Sequence, residues 1–171
     1  IVNQVQAMKQ MVDDFAIYAR TPRPGQLQVV DLSGLLLDVL ALYDNLRPHT
    51  SLALPDGAVV IQGEPTRLRQ VFHNLMQNAI DAQAGAESPR YAISLARDVG
   101  EARLVFEDAG EGFPPDIVAR AFDPYVTTKA NGTGLGLAIV KKIVDEHGGR
   151  VTLDNGARGA RVTLTFPLAT R

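Results

Sequence analysis

Gln70, Asn74, Gln77, Asn78 and Asp81 recur at spacings of three and four. A helix through residues 65–83 therefore lines up amides and a carboxylate along one side, within about 100° of arc. Its other side collects Leu68, Val71, Phe72, Leu75, Met76, Ala79 and Ala82, which reads as core. Solvated helix faces usually carry Lys and Glu, which are long, charged and good helix formers. Short-reaching amides in register are unusual there, although a plain solvated face is the alternative. A hard cation such as Mg²⁺ takes oxygen ligands and keeps waters and substrate phosphates, so an asparagine carbonyl on a helix suits it as a single protein ligand.

Two glycine-rich segments add to this chemistry. Asp108-Ala109-Gly110-Glu111-Gly112-Phe113 follows an apolar strand, and its glycines allow backbone conformations and close approaches closed to other residues. Read alone it is a turn, and it lacks the acidic or amide third and fifth positions of a calcium loop. Gly132-Thr133-Gly134-Leu135-Gly136-Leu137 opens a helix, where bare amides and the positive end of the helix dipole converge as they would on a phosphate. It has no Gly-Lys before Ser or Thr, as a Walker loop requires, and no third glycine of the dinucleotide fingerprint. Lys129, just upstream, could supply a mobile positive charge to terminal phosphates; a simple surface lysine is the alternative.

These segments need a scaffold. The chain has 171 residues, 46% of them hydrophobic and 21% charged, which is ordinary globular composition and enough for one core. A net charge of −2 lacks the basic footprint of a nucleic-acid binder. With no cysteine, disulfide scaffolds, thiolate zinc sites and cysteine nucleophiles are excluded, and a reducing compartment fits. No apolar run approaches the ~18 residues of a membrane span. The pattern begins inside a helix at Ile1 without an initiator Met or targeting signature, so the expectation is an excised, soluble, cytoplasmic segment. An inner-membrane anchor elsewhere in the full protein is left open.

Ile1, Val5, Met8, Val12, Phe15 and Ala19 alternate spacings of four and three, the heptad seam of a helix that packs on other helices. A dimerising helix is expected, with folding onto its own domain as the alternative. Thr21-Pro22-Arg23-Pro24-Gly25 ends it. Beyond lie a short strand at 27–30, a helix capped by Asp31 or Ser33 and running through Leu46, and strands at 51–54 and 59–62. The amide-bearing helix opens at Pro65. A hairpin about Val99-Gly100, a short helix at Pro114-Pro115, a helix from about Gly134 to His147 and two last strands complete the chain. The sum is α+β, a two-layer sandwich of one mixed sheet with helices on one face, preceded by one long helix.

In this order and at these separations the segments resemble the ATP-binding module of bacterial sensor histidine kinases. Asn74-Leu-Met-Gln-Asn78-Ala-Ile-Asp81-Ala is similar to the family's asparagine box, and Asp108 to Phe113 to its first glycine box. Phe122-Asp-Pro-Tyr-Val-Thr-Thr-Lys129 resembles its phenylalanine box, and Gly132 to Leu137 its second glycine box. The piece from Gln4 to Pro22 resembles the second helix of the dimerisation hairpin, closest to nitrogen-regulation kinases of the NtrY type. The resemblance implies residues 1–21 as that hairpin helix, 22–29 as linker, and 30–171 as a catalytic ATP-binding domain of the Bergerat type.

It also implies roles. ATP and Mg²⁺ would be the bound species, with Asn78 ligating the metal, Asn74 lining the phosphate end and Asp81 on the same face. Asp108 would accept from the adenine amine, with Gly110 and Gly112 letting the base lie close. Residues 114–131 would form a lid, packed by Phe122, with Lys129 reaching the phosphates. Gly132 and Thr133 would lead into the amides of Gly134, Leu135 and Gly136, with Leu137 behind them. Implied partners are a second copy through the hairpin and a response regulator, with no nucleic acid.

Departures matter here. The family's phosphoacceptor, a histidine followed by an acidic residue and soon by Asn-Pro, is missing, and His49, His73 and His147 read as structural or surface histidines. This stretch alone is therefore not expected to autophosphorylate. Gly159-Ala160 stands where many relatives place Thr after the glycine. Among the alternatives, superfamily hydrolases such as gyrase, Hsp90 and mismatch-repair ATPases carry a water-activating glutamate where this chain has Asn74. An amide cannot act as a general base at neutral pH. An anti-sigma-type serine kinase would lack the N-terminal heptad helix, and a nucleotide-dead scaffold would not retain every box.

Overall fold

The computed structural model describes residues 2–20, 27–127 and 134–169. Ile1, most of the expected linker, Lys129, Gly132 and Thr133 lie outside the described residues. Helix α1 spans Val2–Ala19, and along it Val5, Met8, Val12 and Phe15 of the heptad seam are exposed. Its last turn is held: Ile17 and Tyr18 pack on the core, and the Lys142 ammonium donates to the carbonyls of Tyr18 and Arg20 and lies over the Tyr18 ring. Arg20 pairs with Glu64 at 2.9 Å.

Strand β1 (Gln28–Asp31) leads into α2 (Leu32–Ala41), whose cap is Asp31, accepting from Ser33 N–H at 3.1 Å and from Val59 N–H at 3.2 Å. The helix ends at Ala41 and does not run through Leu46. Residues Asp44–His49 form a 3-10 turn instead. Asp44 and Asn45 compete for backbone hydrogen bonds there, and Pro48 removes a donor and disfavours helical geometry at Arg47.

Strand β2 (Thr50–Ala53) runs parallel to β4 (Tyr91–Asp98), which forms an antiparallel hairpin with β5 (Glu101–Asp108). Strands β6 (Arg150–Asn155) and β7 (Ala160–Pro167) complete a five-stranded mixed sheet in the order β2-β4-β5-β7-β6. β3 (Val60–Gly63) does not join it; with β1 it makes a separate two-stranded ribbon, a departure from the single sheet expected. The sheet buries one face. Ala102, Leu104 and Phe106 of β5 stand opposite Phe166, Leu164 and Val162 of β7, all at most 8% exposed. The other face carries Arg103, Glu107 and Arg161 toward water, as an antiparallel sheet covered on one side allows.

Helices α3 (Pro65–Ala82) and α5 (Gly136–Glu146) cover the apolar face, with Leu68, Phe72, Leu75 and Met76 of α3 and Ile139 and Ile143 of α5 buried. The short α4 is Pro115–Val118. Proline at the first helical position suits α3, whose missing N–H there would have had no partner. Ala82, expected in the core, is exposed, because the end of α3 overhangs a cavity. Between α3 and α5, Arg67 is 3% exposed and pairs with Glu146 at 2.5 Å.

Candidate functional site

The amide face of α3 meets the first turn of α5. Asn74 donates its amide N–H to the Gly136 carbonyl at 3.1 Å and accepts from Gln70 at 2.7 Å, so both ends of its side chain bridge the helices or brace the face. Gln77 donates to Asp81 at 2.9 Å one turn on. Half-buried Asn78 points its carbonyl oxygen toward α5, 3.7 Å from where a Cβ on Gly136 would lie. In the first turn of α5 Leu135 is fully buried and Leu137 half-buried.

Asp108 closes the end of β5. Its Oδ1 accepts from Gly110 N–H at 2.9 Å and from Ala160 N–H at 3.3 Å. Burial pushes this carboxyl above the ordinary range, against the opposing pull of those two donors. The departure at Ala160 is thus bridged on the protein side by its backbone. Gly159 fits because nothing larger can: a Cβ there would stand 2.5 Å from both the backbone oxygen and Oδ1 of Asp108. Gly110 lies against the Ala82 carbonyl.

Gly112 has φ +74°. A Cβ on it would fall 2.5 Å from Asn155 Oδ1, which accepts from Phe113 N–H at 2.9 Å. Asn155 also donates to the Phe113 carbonyl at 2.9 Å, clamping the loop after Asp108. Further on, Phe122 packs half-buried against the core, and Tyr125 N–H donates to the Gly134 carbonyl at 2.8 Å. That bond brings together the two described ends of the stretch that contains Lys129, Gly132 and Thr133.

Asn78, Ala82, Asp108, Phe113, Leu137 and Ala160 line one narrow cavity between α3, α5 and the sheet, floored by Phe106 and Val162. The combination is a neutral oxygen, a carboxylate whose Oδ1 already accepts two backbone N–H groups, an apolar slot and the start of a helix. That suits a flat polar base at one end and an anion at the other. A wider cleft lies past Asp108 on the side of Tyr91 and Arg158 and shares only Glu107, Asp108 and Ala160 with this cavity.

None of the three histidines lies in the cavity lining. His73 bonds Tyr43 Oη at 2.9 Å, and burial holds its ring below the usual histidine range. His147 accepts from Glu64 N–H at 3.1 Å through Nε2, so Nδ1 carries the proton toward the Ile143 carbonyl at 2.7 Å. His49 sits at the end of the 3-10 turn. Among the described residues no group of three His, Cys, Asp or Glu side chains could hold a metal.

Sequence reasoning missed Asn155, because Asn before Gly reads as a turn and its partner lies 42 residues away. It also missed Gln83, 7% exposed, whose amide holds the backbone N–H and carbonyl of Arg90 at 2.8 and 2.9 Å. A lone amide just past a helix end carries no periodic signal.

Residues 63–170 match the family described as histidine kinase-, DNA gyrase B-, and HSP90-like ATPase. The chain is 30% identical to a putative NtrY-like sensor histidine kinase of Rickettsia conorii over 98% of its length and 28% of the relative's. It is 42% identical to the sensor histidine kinase ZraS of Salmonella typhimurium over 85% of its length and 32% of the relative's. The chain thus spans about a third or less of these curated relatives. The catalytic domain of histidine kinase ThkA superposes with TM-score 0.76 at 29% identity, covering 84% of this chain and 99% of that one. No helix among the described residues is long and apolar enough to cross a membrane.

Proposed function

This chain belongs to the histidine kinase-, DNA gyrase B-, and HSP90-like ATPase family as a histidine kinase ATPase domain, and on that premise we propose how its residues handle ATP. The observation that carries the proposal is the cavity in which Asn78 and Asp108 face one slot at the start of α5. Asp108 accepts the exocyclic amine of the base, and the glycine-shaped backbone from 108 to 112 lets the ring lie against Phe113 and Ala82. The amides of Gly134, Leu135 and Gly136 and the dipole of α5 hold phosphate oxygens, with Leu137 walling the slot. Lys129, Gly132 and Thr133 complete the phosphate end, Phe122 seats the segment over it, and Asp81 orders the amide face through Gln77.

The donor set fits a magnesium ion that arrives with the nucleotide: one neutral amide oxygen, Asn78 Oδ1, and, among the described residues, no carboxylate cluster to hold the metal alone. Bound there, the ion would neutralise charge on the transferring phosphoryl group. Asn74 acts as a positioning residue, since both ends of its amide are committed. That commitment, and the absence of a basic carboxylate at this position, favour transfer to a protein acceptor over hydrolysis.

In the full protein, an imidazole nitrogen of a hairpin histidine attacks the γ-phosphorus and the bond to the ADP oxygen breaks. The phosphoryl group then passes to an aspartate of a response regulator. Residues 1–21 form the second helix of that hairpin, 22–29 a linker and 30–171 the catalytic domain. Two copies pair through the exposed stripe of α1, in the cytoplasm, where ATP is available. Calorimetric titration of a non-hydrolysable ATP analogue, with and without Mg²⁺, tests the site. Magnesium-dependent binding that Asn78→Ala weakens tenfold or more is expected; binding indifferent to both overturns the assignment.

A further inference from the structure

The last rung of the sheet opens a second recess. Thr50, Tyr91 and Asp108 stand side by side across β2, β4 and β5. Past them, the 3-10 turn, the 88–92 segment and the 156–160 loop enclose a cleft of about 600 Å³. Two arginines line it, Arg90 from one side of Asp108 and Arg158 from the other. Both arginines are exposed, and neither guanidinium makes an ion pair or hydrogen bond to a protein group among the described residues. The backbone of Arg90 is fixed by the buried Gln83 amide, so the chain spends a buried polar side chain on placing it.

Tyr91 adds an independent sign. It is 4% exposed and its hydroxyl makes no hydrogen bond. Yet the fully enclosed unpaired side-chain atoms of the described residues are Ser33 Oγ, Arg67 Nε and Glu146 Oε1. Tyr91 Oη is not among them, so it keeps an open edge, and the cleft is what Tyr91 borders. A buried phenol with an unused donor thus borders the same cleft as two exposed guanidiniums. Two carboxylates border the cleft as well: Glu107, which shares Arg161 with the nearer Asp154, and Asp108, whose Oδ1 accepts two backbone N–H groups.

We propose that this cleft is a second ligand site, distinct from the nucleotide cavity, which takes a small multivalent anion, a phosphate ester or a polycarboxylate, between Arg90 and Arg158 with Tyr91 Oη donating to it. Arginine recognises both anions through its planar fork, and two forks on either side of one strand favour a ligand with more than one anionic oxygen pair.

The test is a residue-resolved amide shift titration of the whole chain with inorganic phosphate and, separately, with citrate, against potassium chloride at matched ionic strength. Saturable shifts at Tyr91, Ala92, Ala157 and Gly159 are expected. They should weaken at least tenfold in Arg90→Gln/Arg158→Gln and about threefold or more in Tyr91→Phe, and persist in Asn78→Ala. Saturation by phosphate alone assigns a phosphate ester, and saturation by citrate alone a polycarboxylate. Shifts that merely follow the chloride control, that survive the double substitution, or that centre on Gly134 to Leu137 and vanish in Asn78→Ala overturn the proposal. A nucleotide analogue that fails to bind would sink the ATP assignment and leave these shifts in place.

Discussion

Asn155 holds Phe113 by both ends of one side-chain amide, accepting from its N–H and donating to its carbonyl at 2.9 Å each. An exposed residue at the end of β6 thereby fixes a cavity wall in the loop after β5. Each such bond contributes on the order of 1 kcal/mol. Asn155→Ala should therefore weaken binding of an ATP analogue about three- to tenfold while costing about 1–2 kcal/mol of stability. Asn155→Asp, which keeps the acceptor and loses the donor, should fall between. Calorimetry alongside urea denaturation checks both, and an affinity loss matched by global unfolding would refute a local role.

Gly159→Ala drives a methyl group to 2.5 Å from Asp108. Overpacking of this kind costs about 1–3 kcal/mol. The expected result is a melting temperature lowered by several degrees and nucleotide affinity lost through a displaced carboxylate. An unchanged melting curve would mean that the 156–160 loop yields freely.

Asp108→Asn separates stability from binding. Burial raises the Asp108 carboxyl above the ordinary carboxylate range, so the folded chain binds that proton more tightly than the unfolded one. The stability from this group is fully present at pH below the unfolded value and is lost as pH rises through the raised folded value. The amide variant does not carry that loss, so relative to the native chain it should gain stability as pH climbs from 4 to 7. Its affinity for an adenine nucleotide should drop roughly ten- to a hundredfold, the scale of a lost hydrogen bond to a charged group. Thermal melts of both proteins across that range read the first effect and calorimetry at pH 7 the second.

Arg67→Ala leaves Glu146 charged and nearly buried between α3 and α5. Breaking a buried pair from one side costs about 3–5 kcal/mol. Arg67→Met with Glu146→Leu should recover most of that, because the attraction lost is offset by the desolvation no longer required. Denaturant midpoints of the three proteins decide it, and equal losses in single and double variants would contradict the reasoning.

The α3 face was legible because two periods overlap in one segment, apolar residues at helical spacing on one side and Asn74, Asn78 and Asp81 on the other. A cap at Asp31 or Ser33, which the structure settles as Asp31, and the hairpin about Val99-Gly100 were legible for the same local reason: each is specified within a few residues. What escaped depends on distance along the chain. Whether β3 joins the sheet or pairs with β1 is decided by packing, and both choices look alike in a four-residue strand. The exposure of Ala82 follows from where α3 ends over the cavity, and the clamp of Asn155 on Phe113 from a loop closure, neither of which leaves a periodic trace.

Helix α5 is gripped at two points. Asn74 holds the Gly136 carbonyl at its start, and Lys142, six residues later and about 9 Å along the axis, grasps the last carbonyls of α1. A helix this short does not bend appreciably between them. A displacement of the end of α1 that Lys142 follows would therefore reach the first turn of α5 along one stiff helix. Lys142 thus ties the end of α1, beside the packing of Ile17 and Tyr18 and the Arg20–Glu64 pair, to the same short helix whose first turn Asn74 holds.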